Sequence, residues 1–295
     1  MKFGQVEDPS IIDFTLPKDH SRTSEILKQN TSGLNNISIG CAKWNKTDLK
    51  GFYPRGTKDE LTYYATQFNS IELNATFYGM PSPEQVLTWK GKTPSNFKFF
   101  PKITNTVSHF RRLLNITDVV TDFATSVLNF GDQLGMVFLQ LHDNFKPKDY
   151  DRLEKFIKEW PQEVPLAVEL RNTEWFMDEE IFDKTCDLFE KHNITNIIVD
   201  TAGRRDMLHM RLTTPNVFIR YVGANAESDY QRLDDWLERL TEWKALGMKN
   251  LYFFVHQNLE KASPLLSAHF IKHLNDAWGK DLHIPQMADS KPTLF

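Results

Sequence analysis

From residue 37 onward, the chain alternates short apolar runs with longer segments whose apolar residues recur at helical spacing. The runs are rich in β-branched and aromatic residues and are bounded by Gly, Pro or Asn, which favours strands over helices. Eight such runs occur, at residues 37–41, 70–74, 97–102, 135–141, 165–170, 196–200, 216–221 and 250–256. Strands that alternate with helices in this way indicate a parallel sheet.

The segments between the runs have the period of amphipathic helices. They cover residues 59–68, 82–90, 117–130, 149–160, 178–192, 228–246 and 263–278, and residues 202–212 are interpreted as a further short helix. Asp149, Asp178 and Ser228 stand where N-caps are expected, and Gly247 stands where a C-cap is expected.

Eight strand–helix units in about 250 residues fit the (β/α)8 barrel, or TIM barrel. An open doubly wound sheet normally carries a Gly-rich turn after its first strand, and residues 41–54 contain no such turn. We therefore predict an α/β protein with a single TIM-barrel domain at residues 37–295. Residues 1–36 form an N-terminal extension in which only residues 24–29 have a helical pattern.

Composition narrows the class of protein further. The chain has 35 Lys and Arg against 39 Asp and Glu, a net charge of −4, which argues against a surface that coats nucleic acid. No run of about 20 apolar residues is present, so no membrane span is expected. The acidic N-terminus is not typical of a signal peptide, and the two cysteines, Cys41 and Cys186, form no CxxC motif. These features predict a cytoplasmic protein.

Polar residues concentrate where the predicted strands end, which is where TIM barrels carry their chemistry. They are Lys43, Glu72, Asn74, Lys102, Gln140, His142, Glu169, Arg171, Asp200, Arg220, His256 and Asn258. Buried charges at strand ends must be paired with each other or solvated at a cavity mouth. A closed ring of salt bridges is one interpretation, but the clustering at one end favours a pocket.

The residue types in this cluster suit an enzyme. Glu72 and Glu169 are candidate general acids or bases, since crowded carboxylates can have a pKa raised towards neutrality. Lys102 is the third candidate catalytic residue. Arg171 and Arg220 suit bidentate binding of a phosphate or carboxylate. We predict a small or nucleotide-like anionic substrate, and a hydrolase or lyase-type reaction.

Other functions stay open at this point. The sequence requires no cofactor, but a divalent metal has possible ligands in Glu72, Glu169, Asp200 and His256, although no HxH or HExxH spacing points to one. One alternative is a metal-dependent phosphodiester hydrolase that acts on nucleic acid. Another is a non-catalytic barrel that binds a ligand or a partner protein. The oligomeric state has no signal in the sequence.

Several segments resemble the YecE-like family, a family of domains of unknown function with a TIM-barrel fold. They are ISIGCAKW, GFYP, IELNATFYGMPSPEQVLTW, FKFFPKITNTVSH, LGMVFLQL, LAVELRNTEWF, NVFIRYVG and the C-terminal tail ending in LF. These segments occur in order from about residue 37 to the end of the chain. The resemblance implies the barrel but no particular reaction.

The resemblance also marks positions that belong to the family pattern. Besides the three candidate catalytic residues, we assign Asn74, Tyr78, His109, Arg171, Trp175 and Arg220 to substrate binding. Lys43, His142 and His256 depart from the family pattern, so the first and last loops of the pocket are expected to differ from the family norm.

Overall fold

The computed structural model of the chain describes residues 4–288; the tail that ends in LF therefore lies outside the described residues. The strands are β1 (Asn36–Cys41), β2 (Ser70–Leu73), β3 (Lys98–Pro101), β4 (Val137–Gln140), β5 (Leu166–Glu169), β6 (Thr195–Thr201), β7 (Asn216–Gly223) and β8 (Asn250–Gln257). The helices are α1 (Ser21–Lys28), α2 (Glu60–Gln67), α3 (Ala75–Tyr78), α4 (Pro83–Gly91), α5 (Thr117–Val127), α6 (Tyr150–Glu159), α7 (Glu174–Met177), α8 (Glu179–Lys191), α9 (Ser228–Leu246) and α10 (Ser263–Trp278).

All eight predicted strands are present, with ends displaced by at most two residues. The seven longer predicted helices correspond to α2, α4, α5, α6, α8, α9 and α10. The helix predicted over residues 202–212 is wrong: only Ala202–Met207 forms a 3₁₀ segment, because Arg204 has φ −143° and ψ 51° and interrupts it. The single-turn helices α3 and α7 were not predicted.

The predicted helix ends are confirmed only in part. Asp178 caps α8 by accepting hydrogen bonds from the Glu180 and Ile181 amides, and Gly247 ends α9 with φ 119°. Ser228 is instead the first residue inside α9, and the Asp149 side chain makes no capping hydrogen bond to α6. Whether a residue caps a helix therefore depends on the conformation of the flanking loop as well as on residue type.

The strands are parallel throughout, so their carboxyl ends meet at one edge. Six strands form a curled half-barrel sheet in the order β1-β8-β7-β6-β5-β4, and β2 pairs with β3. Between β3 and β4, the Gly135 amide donates to the Phe99 carbonyl at 2.8 Å and the Ile103 amide to the Phe138 carbonyl at 2.9 Å. The structure is thus an α/β fold with a curled parallel sheet.

The apolar core has an inner part and two outer parts. The outer clusters lie between strands and helices and contain most of the buried leucines, isoleucines and tryptophans. The inner cluster lies on the other face of the strands and consists of Phe100, Met136, Phe138, Ala167, Ile197, Val199, Phe218, Tyr252 and Phe254. Its aromatic rings fill the interior below the carboxyl ends of the strands.

The described part of the N-terminal segment packs against the rest of the chain. Ile26 and Leu27 of α1 are buried, and the Thr23 hydroxyl donates to the Met210 carbonyl at 2.6 Å. The Gly203 amide donates to the Gly4 carbonyl at 2.9 Å. Within residues 4–288, no helix is long and apolar enough to cross a lipid bilayer.

Gly40 marks a close approach between β1 and β2. A Cβ atom at residue 40 would lie 2.2 Å from the Ser70 carbonyl oxygen. We expect Gly40→Ala to lower the free energy of unfolding by about 1–3 kcal/mol, because the two backbones must separate. Urea unfolding followed by circular dichroism measures this.

Gly91→Ala is the matched control, since Gly91 lies in α4 and a Cβ there would meet no atom within 4 Å. We expect its stability to equal or slightly exceed that of the wild type. Equal unfolding midpoints for Gly40→Ala and the wild type would contradict the close approach.

Candidate functional site

The polar residues at the strand ends form a layer directly above the inner aromatic cluster. Side chains two residues apart on a strand point to the same face. Lys102, Gln140, Glu169, Arg220 and His256 each follow an inner-cluster residue by two positions, namely Phe100, Phe138, Ala167, Phe218 and Phe254. The strand period that fills the interior with aromatic rings therefore also places the polar layer.

Arg220 on β7 holds two buried carboxylates. Its Nε and Nη2 atoms each donate to Glu72 at 2.8 Å, and its Nη1 atom donates to Glu169 at 2.5 Å. Neither glutamate side chain has any exposed surface. An uncompensated buried charge costs several kcal/mol, so the guanidinium is what allows both carboxylates to stay ionised here.

Further donors complete the environment of each carboxylate. The Asn74 side-chain amide donates to Glu72 at 2.8 Å, and His256 Nε2 lies 2.9 Å from Glu72 Oε2. Burial alone would raise the pKa of Glu72, but Arg220 and His256 hold that pKa well below its usual range. Burial also acts to raise the pKa of Glu169, but the neighbouring cations, Arg220 and Arg171 foremost, together lower that pKa below its usual value. The expected rise towards neutrality is therefore wrong for both glutamates.

Gln140 joins the carboxylates to the cations. Its Oε1 atom accepts from Lys102 Nζ at 2.7 Å and from Arg171 Nη1 at 3.1 Å, while its Nε2 atom donates to Glu169 at 2.9 Å. The sequence places Gln140 at a strand end without a role. Its position could have indicated the contact with Glu169, since Gln140 and Glu169 are register partners across β4 and β5.

Lys102 has an unusual environment for an amine. It is 7% exposed, and its Nζ atom lies 4.1 Å from the centroid of the Phe77 ring. Burial and the nearby Arg220 lower the pKa of Lys102 to about 7, although Glu169 and Glu72 act in the opposite direction. A substantial fraction of this side chain is therefore neutral amine at neutral pH.

A cavity of about 680 Å³ opens above this layer. Lys102, Gln140, Arg171, Arg220 and His256 contribute to its wall, and its rim includes Lys43, Asp48, Lys50, Glu260 and Lys261. Lys and Arg outnumber Asp and Glu among the described residues that line it. The cavity is therefore suited to a small molecule that carries negative charge.

Asp200 does not join this cluster. Its Oδ1 atom accepts from Arg232 Nη2 at 2.9 Å and its Oδ2 atom accepts from the Trp236 indole at 2.8 Å, on the side of β6 that faces α9. Val199 occupies the inner face at this level, so the strand period turns Asp200 outward. The predicted set of metal ligands is thus not assembled.

Glu72 and His256, two of the other predicted metal ligands, also fit a metal ion poorly. Both oxygens of Glu72 accept hydrogen bonds from Arg220, and His256 Nε2 is directed at the same carboxylate. A cation at this position would have to displace a bidentate guanidinium. Glu72 is therefore a carboxylate whose charge is paired with Arg220.

Four predicted substrate-binding residues do not line the cavity, namely Asn74, Tyr78, His109 and Trp175. Trp175 is fully buried, and its indole donates to the Phe145 carbonyl at 2.8 Å, which assigns it to core packing. Tyr78 is 79% exposed and does not line the cavity. His109 is half-buried behind Phe77, with ring centroids 4.9 Å apart, and burial lowers the pKa of His109 to about 4.

The fold and this site define a parallel α/β protein with a cationic cavity at the carboxyl ends of its strands. Residues 38–289 match the family model described as "Protein of unknown function DUF72". The chain therefore belongs to the DUF72 family, which confirms the resemblance to YecE-like proteins.

Curated relatives and solved structures agree with this assignment. The UPF0759 protein YecE of Escherichia coli K12 is 28% identical over 242 residues, which is 75% of this chain and 86% of the relative. YunF of Bacillus subtilis is 23% identical over 70% of this chain and 83% of its own length. A crystal structure of a DUF72 protein from Thermotoga maritima, 26% identical, covers 82% of this chain and all of its own, with a TM-score of 0.68. A DUF72 structure from Enterococcus faecalis, 20% identical, covers 81% of this chain and 95% of its own, with a TM-score of 0.67.

Removal of the Arg220 charge tests the electrostatics of the site. We expect Arg220→Met to lower the free energy of unfolding at pH 7 by about 3–5 kcal/mol, because two buried carboxylates lose their counter-charge. The lowered pKa values of Glu72 and Glu169 stabilise the wild type above the ordinary glutamate pKa of 4.5, and this contribution is lost as the pH falls. The difference between the two proteins should therefore shrink below that pH.

Denaturant unfolding across a pH series measures this effect. Arg152→Met is the control, since Arg152 forms a surface ion pair with Asp149 at 3.1 Å and is expected to contribute less than about 1 kcal/mol. The double variant Arg220→Met/Glu72→Gln should recover part of the loss. A difference that stays constant with pH would contradict the assigned charges.

Proposed function

We propose that this chain is an enzyme that binds a small anionic substrate in the cavity and uses Lys102 to transfer a proton. The observation that carries the proposal is a buried amine in the cavity wall with a pKa of about 7. A group that takes and returns protons works best when its pKa lies near the working pH. An ordinary surface lysine, with a pKa near 10.4, does not meet this condition.

The other residues have supporting roles in this proposal. Arg171 and the rim lysines attract and bind the anionic group of the substrate, for which a phosphate or a carboxylate fits a guanidinium. Glu72 and Glu169 stay ionised and hold Arg220 in place, so neither exchanges protons in the reaction. Gln140 positions Lys102 through the 2.7 Å hydrogen bond to Nζ.

The proposed chemistry is proton abstraction next to a carbonyl or phosphate group. Neutral Lys102 would accept the proton, and the cationic wall would stabilise the negative charge that develops on the substrate. Such a step belongs to lyase-type reactions, and the same base could activate water in a hydrolase. The low pKa of both buried glutamates favours Lys102 over either of them as the base.

We further propose that the eight strands close into one TIM barrel. The two hydrogen bonds between β3 and β4 support one seam, and Asn69 supports the other by bonding to the Ile39 amide at 2.9 Å and the Ile37 carbonyl at 2.8 Å. The barrel would then begin with β1 (Asn36–Cys41), and residues 4–35 would pack outside it. Cys41 and Cys186 are buried free thiols, which supports a reducing, cytoplasmic location.

The acid–base role of Lys102 predicts a distinctive reactivity. Trace acetylation with acetic anhydride modifies only the neutral form of an amine. We expect the rate at Lys102, followed by peptide mass spectrometry, to reach a plateau with a midpoint near pH 7. Lys98 provides the matched reference, because it is the first residue of β3 and Lys102 directly follows the last. A rate at Lys102 that still rises above about pH 9 would contradict the proposed base.

The anion-binding role predicts that inorganic phosphate binds in the cavity. We expect phosphate to slow the acetylation of Lys102 but not that of Lys98, and to give measurable heat in calorimetry. Arg171→Gln should weaken this binding by about tenfold or more, because one charge-assisted hydrogen bond is lost. Arg152→Gln, on the surface, should leave it unchanged. Equal phosphate affinity in the wild type and Arg171→Gln would overturn the assignment of Arg171.

A further inference from the structure

A second cluster of polar side chains lies away from the cavity, where α9 packs against α10. Asp234 Oδ1 is 2.8 Å from His269 Nε2 and 2.8 Å from His273 Nδ1. The two histidines are four residues apart on α10 and so share one face of that helix. Asp234 faces them from α9.

We propose that Asp234, His269 and His273 bind a divalent transition-metal ion of the Zn²⁺ class. The three candidate ligand atoms lie within 4.8 Å of one another. Imidazole nitrogen suits Zn²⁺, Ni²⁺ and Cu²⁺, whereas Ca²⁺ and Mg²⁺ prefer a shell made of oxygen. Two imidazoles with one carboxylate therefore select the transition metals.

The geometry needs only a small adjustment to accept the ion. Zinc lies about 2.0–2.2 Å from nitrogen and oxygen ligands, so tetrahedral ligand atoms are about 3.3 Å apart. Each histidine nitrogen now lies 2.8 Å from the Asp234 oxygen. A shift of about 0.5 Å brings each Asp234–histidine distance to this value, and the side chains have room for it because all three are only partly buried.

The protons of the histidines must be placed consistently. In the present arrangement, each imidazole can donate an N–H to the single Asp234 oxygen. To bind a metal, His269 must present a lone pair at Nε2 and His273 must present one at Nδ1. Each neutral ring does this by carrying its proton on the other ring nitrogen. The cation then replaces two N–H donors beside the same carboxylate.

The surroundings hold the ligands in place but leave the ion open to solvent. The His269 and His273 rings lie 4.0 Å apart, and the edge of the Tyr230 ring packs on His269 with centroids 5.0 Å apart. Three protein ligands leave a coordination position for water or another ligand, unlike closed structural zinc sites with four protein ligands. A bound ion would also link α9 to α10 and stabilise the fold.

Metal titration of the 295-residue chain tests the site. The protein is prepared without a histidine tag, treated with a chelator and titrated with Zn²⁺ by calorimetry and with Co²⁺ by visible absorption. We expect one equivalent of either metal per chain, together with a rise in Tm. The double variant His269→Ala/His273→Ala should lose both effects, and Asp234→Asn should weaken binding by about tenfold or more.

His283→Ala is the matched control, because His283 is an exposed histidine that interacts with Gln67 and lies outside the cluster. It should bind metal like the wild type, and circular dichroism should show that every variant is folded. Absence of binding to the wild type, or the same stoichiometry in the double variant, would overturn the proposal. Wild-type affinity in Asp234→Asn would overturn the three-ligand site. Lys102 acetylation is an independent measurement, so the two proposals can fail separately.

Discussion

The ion pairs of Arg220 with Glu72 and Glu169 are the interaction on which the candidate site depends. Both carboxylates lie directly above a closely packed aromatic interior, where an unpaired charge would be neutralised or would destabilise the fold. Because Arg220 keeps them ionised, they act as fixed acceptors. Glu169 then orients the side-chain amide of Gln140, whose oxygen accepts from Lys102. The position of the amine thus follows from a guanidinium on a different strand.

The same cation also sets the proton affinity of the site. Arg220 lowers the pKa of Glu72 and Glu169 through attraction and adds to the effect of burial in lowering the pKa of Lys102. Both carboxylates pair directly with Arg220, whereas the Lys102 Nζ atom donates to the neutral side chain of Gln140. A net charge of −4 for the whole chain therefore coexists with a locally cationic cavity. This local excess, more than any single residue, suits the cavity to an anion.

Much of this architecture could be predicted from the sequence, because strand positions and polar strand ends are local signals. The direction in which each side chain points was harder to predict. The NIIVD run at residues 196–200 is apolar on both faces, so no alternation shows that Val199 points inward and Asp200 towards α9. Trp175 follows a strand end as a cavity residue would, but its indole pairs with the carbonyl of Phe145, which is 30 positions away. Contacts of this kind come from tertiary packing and leave no periodic trace.

The two histidines of α10 show the same division between local and distant signals. Their spacing of four is visible in the sequence, whereas Asp234 belongs to another helix and reaches them only through packing.

The two buried glutamates show a further limit of prediction from the sequence. The sequence places Glu72 and Glu169 at the same end of the strands, and it led us to expect the raised pKa of crowded carboxylates, whereas both pKa values are lowered. A guanidinium placed 2.5–2.8 Å from both reverses the sign of that shift. Residue identity can therefore predict which charges meet, but the direction of a pKa shift depends on which donor lies between them.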